Sequence, residues 1–136
     1  MKSTKYMVAA FLLALAIALP AYADSGATRF SIPFNFYVGE NVLVAGDYSV
    51  ATVTERTLRL ASADGKTSLM ILVNPVEDPL ASGRAQIVFH RYGDTYFCAR
   101  VWAPSRSEGH ELFATGLELR LARELKQTTV MILASK

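Results

Sequence analysis

Two histidines and a glutamate are the residues whose chemistry could give this chain a metal-dependent activity. His90, His110 and Glu111 could hold a catalytic zinc ion, because such a site needs three protein ligands and keeps one position for water. Their spacing matches no zinc motif, and a structural zinc site would need four His or Cys ligands where the chain offers three. The sequence therefore predicts no metal and no cofactor, with a metal-dependent enzyme that uses these three residues as an alternative.

Nucleophilic catalysis would need a serine or cysteine beside a base. Ser105 and Ser107 precede His110, but the chain has no G-x-S-x-G motif, and closeness in sequence is not the geometry of a triad. Cys98 is the single cysteine, so no intramolecular disulfide forms, and its apolar surroundings favour a small buried side chain over a reactive thiol. A small secreted hydrolase is an alternative function, not the main prediction.

The densest group of binding-type side chains surrounds Gly93. Aromatic rings alternate here with arginines, and both can stack on a sugar, a peptide or a partner surface. A structural interpretation competes, because Gly93 and Asp94 suit a tight turn and Arg91 can pair with a nearby carboxylate. The candidate binding patch comprises His90, Arg91, Tyr92, Asp94, Tyr96, Arg100 and Trp102, followed by Arg106.

Apolar residues at every second position predict that strands carry these side chains. The strand at 67–73 is apolar on both faces and is expected to be central, whereas 76–83 is expected to form a loop and His110 to lie in an exposed loop. Seven strands are predicted, at 29–38, 42–54, 58–62, 67–73, 84–92, 96–102 and 128–134.

Two hairpin turns are predicted from glycine and aspartate pairs. Asp64-Gly65 favours a type I′ turn, which needs positive φ at both central positions. The turn at Gly93 leaves two registers open: a two-residue loop places Arg91 opposite Tyr96, and a three-residue loop places Tyr92 there instead. The choice decides which side chains of the candidate patch are buried.

One amphipathic helix is predicted near the end of the chain. Thr115 and Glu118 form a capping-box pattern, and Leu117, Leu121 and Leu125 recur on one face that would pack on the sheet. The predicted fold class is therefore mainly β: a single small antiparallel β-sandwich or barrel of about seven strands, with one C-terminal amphipathic helix before the last strand. An unfilled barrel interior would make the protein a hydrophobic-ligand carrier, although the aromatic first strand favours a packed core.

The N-terminus has the pattern of a secretory signal peptide. Lys2 and Lys5 precede an apolar run at 7–19, and the small residues at 20–23 predict cleavage after Ala23. The run is shorter than the roughly 20 residues of a membrane-spanning helix, so the mature form is expected to have no membrane anchor. Without the two lysines the remaining 12 basic and 12 acidic residues balance, which argues against nucleic-acid binding. The prediction is one β-rich domain at 24–136, periplasmic or extracellular.

Two stretches, FSIPFNFYVGENVLVAGDYSV at 30–50 and VFHRYGDTYFCARVW at 88–102, resemble a family of small secreted bacterial β proteins. The family pattern is F-x-V-P-F-x-F-x-V-G…L-P-A-G-x-Y-x-V followed by F-H-R-Y-G-D-x-Y-F-L-x-x-V-W; Val44 replaces its proline and Cys98 replaces a leucine. The family has no assigned activity, so the resemblance implies secretion and fold rather than chemistry. We expect an exported soluble, non-catalytic binding or structural module of the cell envelope, with an envelope protein or a glycan as partner.

Overall fold

The computed structural model describes residues 27–78, 83–104 and 108–135, which form a mainly β structure. The predicted signal peptide at 1–23, Ser105, Arg106 and Ser107 lie outside the described residues. The described strands are β1 Thr28–Ile32, β2 Phe36–Val38, β3 Asn41–Leu43, β4 Gly46–Thr54, β5 Thr57–Ser62, β6 Ser68–Glu77, β7 Gln86–Tyr92, β8 Thr95–Trp102, β9 Glu108–Leu112 and β10 Gln127–Leu133. The helix α1, Gly116–Glu124, precedes the last strand as predicted. No helix in the described ranges is long and apolar enough to cross a bilayer.

The fold class is confirmed, but the strand number is ten in the described chain rather than seven. The predicted strand at 29–38 breaks around Pro33, so that β1 pairs with β4 while β2 pairs with β3 and β8. The predicted strand at 42–54 likewise divides at Val44 and Ala45 into β3 and β4. The sequence missed β9 because Gly109 and His110 interrupt its apolar alternation.

The strands form one open sheet rather than the two sheets of a sandwich. Its order is β1-β4-β5-β6-β9-β8-β2-β3, with β7 on the other edge of β8 and β10 outside β7. Neighbouring strands are antiparallel except β2 and β8, which run parallel with Tyr37 opposite Phe97. Beyond β10, the Ser135 backbone N–H donates to the Arg29 carbonyl at 2.9 Å, so the outer strands β1 and β10 meet.

Strand β6 differs from the prediction in two ways. It does not end before Pro75 but continues to Glu77, because 73–77 pairs with a strand on one side only and proline's missing donor is tolerated there. It is also not paired on both edges along its length: β5 pairs with Ser68–Leu72 and β9 pairs with Val73–Glu77. Met70 and Leu72 are 61% and 70% exposed because they lie on the face of β6 opposite Leu69 and Ile71, which pack against the core, although the sequence predicted a strand buried on both faces.

Aromatic side chains from β1, β2 and β7 fill the interior. The Phe36 ring packs edge-on against Tyr48 and Phe89, at centroid distances of 5.3 and 5.5 Å. A cavity beside Phe30 and Leu58 has a volume of about 70 Å³, far below the roughly 300 Å³ at which small-molecule pockets begin. A second cleft of about 520 Å³, lined in part by Phe30 and Tyr48, lies beside this core, and the hydrophobic-ligand carrier stays a prediction.

The β5–β6 hairpin forms as predicted, but its turn is wider than a type I′ turn. The Ser62 N–H donates to the Thr67 carbonyl at 2.9 Å, which leaves four residues in the loop. The Asp64 carboxylate accepts from the Ser62 hydroxyl and from the Lys66 N–H, and these bonds hold the pKa of that carboxyl below its usual value. Gly65 has a φ of 75°, the left-handed conformation that glycine adopts without strain.

Candidate functional site

The β7–β8 hairpin adopts the two-residue alternative. Arg91 lies opposite Tyr96 and Tyr92 lies opposite Thr95, so Gly93 and Asp94 alone form the loop. Gly93 has a φ of 60°, which a hairpin turn of this length requires at its first central position. This register places Arg91 and Tyr96 on one face of the hairpin, and His90 and Tyr92 on the other.

We call Arg91, Gly93, Asp94 and Tyr96 the hairpin tip. The Arg91 Nε–H donates to the Gly93 carbonyl at 2.7 Å, and its guanidinium lies 5.4 Å from the centroid of the Tyr96 ring. The Tyr96 ring also stacks on Phe34, with a centroid distance of 3.8 Å. The Arg91–Asp94 pair, at 3.9 Å, is loose, and the Asp94 side chain is fully exposed. Most of the stacking and bonding capacity of the tip is therefore used within the molecule.

On the opposite face, helix α1 contributes a buried carboxylate. We call Glu118 with His90, Tyr92 and Gln127 the Glu118 cluster. The Glu118 Oε2 atom lies 2.9 Å from His90 Nδ1 and accepts from the Tyr92 hydroxyl at 3.0 Å, while the Tyr92 hydroxyl is also 3.0 Å from Gln127 Oε1. Burial, and then the neighbouring Glu118, raises the pKa of Tyr92 to about 12. The cluster joins α1, β7 and β10 through polar contacts.

The helix cap explains how Glu118 reaches this position. Thr115 is the N-cap as predicted, and its hydroxyl accepts from the Glu118 backbone N–H at 3.2 Å. The Glu118 side chain points to the sheet, where it is the one buried residue of the helix. The predicted leucine face is weaker than expected, because Leu125 remains 44% exposed. Glu118 bonds the helix to His90 and Tyr92 of β7, while Leu117 and Leu121 of the predicted face are half-buried.

His90 and Glu118 have the arrangement of a base held by a carboxylate, but no nucleophile completes it. Among the hydrogen bonds of the described residues, none joins His90 to a serine, threonine or cysteine side chain. The nearby Tyr92 hydroxyl donates to the carboxylate instead. Among the described residues, these hydrogen bonds satisfy buried polar groups of β7 and α1.

The three residues considered for zinc lie apart. His90 pairs with Phe97 on one edge of β8, and His110 pairs with Val101 on the other edge. The two histidines are separated by about 10 Å across the sheet and about 13 Å along β8, given strand spacings of about 4.8 Å and rises of about 3.3 Å. No group of three potential metal ligands converges anywhere in the described ranges.

The other partners of these residues support structural roles. His110 lies half-buried in β9 and not in the exposed loop that the sequence predicted, and burial lowers its pKa. Glu111 forms an ion pair with Arg100 at 3.5 Å. Both residues therefore serve the β8–β9 pairing.

Trp102, the last residue of the candidate patch, is buried at the opposite end of β8 from the hairpin tip. Its ring lies against Gly109, where an added β-carbon would come within 2.5 Å of Trp102 Cε3. Tyr92 is buried as well, in the Glu118 cluster. The structure thus divides the seven patch residues among the tip, the cluster and the Trp102 end of β8, and does not gather them on one surface.

Cys98 lies in β8 beside a bulge. The register of β7 and β8 shifts between Val88 and Phe89, which brings Cys98 and the next residue, Ala99, into the interior together. Burial raises the pKa of the Cys98 thiol to about 12. The prediction of a buried Cys98 side chain is confirmed, and low reactivity of its thiol stays a prediction.

An open apolar surface lies elsewhere, along the first half of β6. A groove of about 550 Å³ separates Leu69–Leu72 from the β2–β3 turn, and the segment between β9 and α1 closes one end. Three large apolar side chains are exposed on or beside it: Met70, Leu72 and Phe113, the last at 59%. We call this groove, with the strand edge Ser68–Leu72, the edge groove.

Sequence patterns missed both the edge groove and the Glu118 cluster. An apolar run gives the same signal whether its second edge is covered or open, so 67–73 was interpreted as central. The sequence pattern did mark Glu118, but as part of a capping box, in which the glutamate side chain bonds to the start of its own helix and not to another strand. No family model matches the chain, and no curated protein or solved structure matches it either.

Proposed function

We propose that this chain is an exported, non-catalytic binding module of the cell envelope, and that its contact surface is the edge groove. The observation that carries the proposal is a strand edge, Ser68–Leu72, that lacks a second strand partner in the described chain and is flanked by exposed apolar side chains. The signal-like segment at 1–23 supports export. The polar groups of the hairpin tip bond to one another, and those of the Glu118 cluster do the same. This internal bonding supports the proposal that the module is non-catalytic.

Exposed apolar surface of this kind is typical of a contact with another protein. Soluble domains expose single apolar residues freely, whereas grouped ones mark interaction sites. Met70 and Leu72 project from the same face of β6, and Phe113 follows the last paired residue of β9, next to Leu72 in register. A polypeptide partner in the envelope is therefore the form of the proposal that the surface supports best.

The chain offers a matched control for testing this surface. Strand β10 also exposes a methionine and a leucine two positions apart, Met131 at 60% and Leu133 at 44%. Its outer edge also lacks a strand partner within the described residues, but no β10 residue lines the edge groove. Equal side chains on two open edges, with the groove beside only one of them, separate groove binding from non-specific apolar binding.

Site-specific photo-crosslinking in the cells that produce the protein tests the proposal. Benzoylphenylalanine replaces Leu72 in one full-length variant and Leu133 in another. We expect a discrete cross-linked species from the Leu72 position only, and its loss when Met70→Lys is added. Equal cross-linking from both positions, or none from position 72, would contradict the proposed function.

A further inference from the structure

The backbone of the edge groove is as open as its side chains. Ser68–Leu72 pairs with β5 on one edge, and the pairing of β6 with β9 begins only at Val73. On that second edge, the amide and carbonyl groups of Ser68–Leu72 have no strand partner within the described residues. Across the groove, β3 pairs with β2 alone. Such an edge is a template for one more strand.

The edge also lacks the features by which proteins usually prevent strand addition. Exposed edges normally carry a charged residue, a proline or a bulge. The segment 67–74 contains no charged residue and no proline, and the register of β6 with β5 is regular from Ser68 to Leu72. The edge is therefore suited to receive an extended backbone.

The area of the surface favours a short segment over a second copy of the chain. The exposed parts of Met70, Leu72 and Phe113 amount to roughly 300–400 Å², whereas a stable protein–protein interface buries about 800 Å² per partner. A strand of five or six residues is about 17–20 Å long, the length of the open edge. The size of the surface thus matches one added strand.

The charge of the groove indicates which residues the bound segment should contain. Glu40, on the β2–β3 turn, is the one charged residue among those that line the groove in the described structure. An acidic wall with no basic residue beside it favours a lysine or arginine in the bound segment. The alternating exposure of β6 favours apolar side chains at every second position of that segment.

We propose that the edge groove binds an extended segment of an envelope protein by strand addition to Ser68–Leu72, with apolar residues at alternate positions and a basic residue facing Glu40. Backbone hydrogen bonds to β6 supply the affinity, and the contacts with Met70, Leu72 and Phe113 supply the selectivity. This inference rests on the proposed function and names the partner of the same site.

The test uses the protein purified after export and a pool of fluorescent hexapeptides, Lys-Ω-Thr-Ω-Thr-Ω, in which Ω is Val, Ile, Leu or Phe. Fluorescence anisotropy measures the dissociation constants, which we expect on the order of 10–100 μM for the best sequences. Two N-methylated forms of the best peptide follow, one for each set of alternate amides. N-methylation of the set that faces β6 should weaken binding at least tenfold, and N-methylation of the other set should change it less than about twofold.

Variants of the protein complete the experiment. Met70→Lys with Leu72→Lys should weaken the peptide at least tenfold, while Met131→Lys with Leu133→Lys leaves it unchanged. Glu40→Gln should remove the preference for Lys over Glu at the first peptide position. These outcomes would support strand addition at this edge.

Three outcomes would overturn it: no peptide of the pool binds, both N-methylated forms bind like the parent, or sedimentation shows a dimer that Met70→Lys dissociates. In the last case a second copy occupies the groove. If no peptide binds while the cross-link from position 72 persists, the strand-addition proposal is wrong and the proposed binding function stands. If no peptide binds and no cross-link forms at position 72, both proposals are wrong.

Discussion

The Glu118 cluster and the edge groove differ in whether their side chains and backbone groups have partners within the molecule. In the cluster, one carboxylate oxygen lies 2.9 Å from a histidine nitrogen and 3.0 Å from a tyrosine hydroxyl, and the Tyr92 and Glu118 residues are buried. Along the groove, Met70 and Leu72 face solvent beside an unpaired backbone. The histidine, tyrosine and glutamate of the cluster thus bond to one another, whereas the apolar run at 67–73 supplies the open surface.

This contrast has a physical basis. A buried polar group without a partner is costly, so reactive-looking side chains in a folded interior are usually bonded to one another. An exposed apolar side chain carries a much smaller penalty, and so it can remain open until a partner covers it. The substitutions that follow test each side of the comparison.

The largest effect is expected at the buried carboxylate. Glu118→Ala removes the carboxylate that contacts both His90 Nδ1 and the Tyr92 hydroxyl and leaves Tyr92 only Gln127 Oε1 as an acceptor; hydrogen bonds to charged groups contribute about 1.5–3 kcal/mol. We expect the free energy of unfolding to fall by about 2–3 kcal/mol, measured by urea denaturation. Glu124→Ala, on the exposed side of the same helix, should change it by less than about 0.5 kcal/mol. A similar change in both variants would mean that the cluster does not hold the helix.

Alkaline pH should lower the free energy of unfolding, because Cys98 and Tyr92 are buried in their protonated forms. The pKa values of Cys98 and Tyr92 are raised from 9.0 and 10.0 to about 12, so the unfolded chain loses these protons first. The stabilisation is fully present below about pH 9 and is lost as the pH rises towards 12, at about 1 kcal/mol per pH unit for each group. Urea midpoints at pH 8, 9.5 and 11 measure the effect.

Two variants assign that pH dependence. Cys98→Ala should remove the loss that begins near pH 9, and Tyr92→Phe the part that begins near pH 10. If the Cys98→Ala protein loses stability between pH 8 and 9.5 as steeply as the parent, the thiol is not the group responsible. Native Cys98 should also resist thiol reagents at pH 8 until the protein is unfolded.

A smaller effect is expected at the hairpin tip. Arg91→Ala removes the hydrogen bond to the Gly93 carbonyl and the cation–π contact with Tyr96. Because the Arg91 side chain is about half-exposed, we expect the free energy of unfolding to fall by only about 0.5–1 kcal/mol. Arg120→Ala, on the exposed surface of α1, serves as the comparison. A loss as large as that of Glu118→Ala would show that the tip is as important to the fold as the buried cluster.

The smallest effect on stability belongs to the edge groove. Met70→Lys combined with Leu72→Lys should shift the free energy of unfolding by no more than about 0.5 kcal/mol, because both side chains are already exposed. Thermal or urea unfolding measures this, with Met131→Lys and Leu133→Lys as the matched pair. A large loss confined to the Met70 pair would indicate that the groove is structural, against the proposed contact surface.

Local patterns predicted most elements but not their partners. The helix and its Thr115 cap were predictable because capping depends on residues three positions apart. The pairing of β6 with β5 and then β9 was not, because strand partners come from distant parts of the chain and leave no periodic signal. The two registers of the Gly93 turn were both foreseen, and the positions of Tyr92 and Arg91 follow from the shorter loop.

The candidate site was predicted less well than the fold, for a related reason. Arg91 and Tyr96 do meet at the tip, but Trp102 lies at the far end of β8 and Tyr92 faces α1. Closeness in sequence groups side chains that a strand sends to opposite faces and ends. The partner of His90 is Glu118, 28 positions away, which no local pattern could indicate.

The sharing of one β8 edge by β9 and β2 has a consequence for how fast the chain folds. The β4–β5, β5–β6 and β7–β8 pairs join consecutive strands, whereas Tyr37 must find Phe97 across more than 50 intervening residues. Proteins rich in such non-local pairings fold in milliseconds to seconds, after their local hairpins. In pulsed hydrogen exchange, the amides of Gln86–Tyr92 should therefore become protected before those of Phe36–Val38, and the unfinished β8 edge would be the surface through which incompletely folded chains can pair with one another.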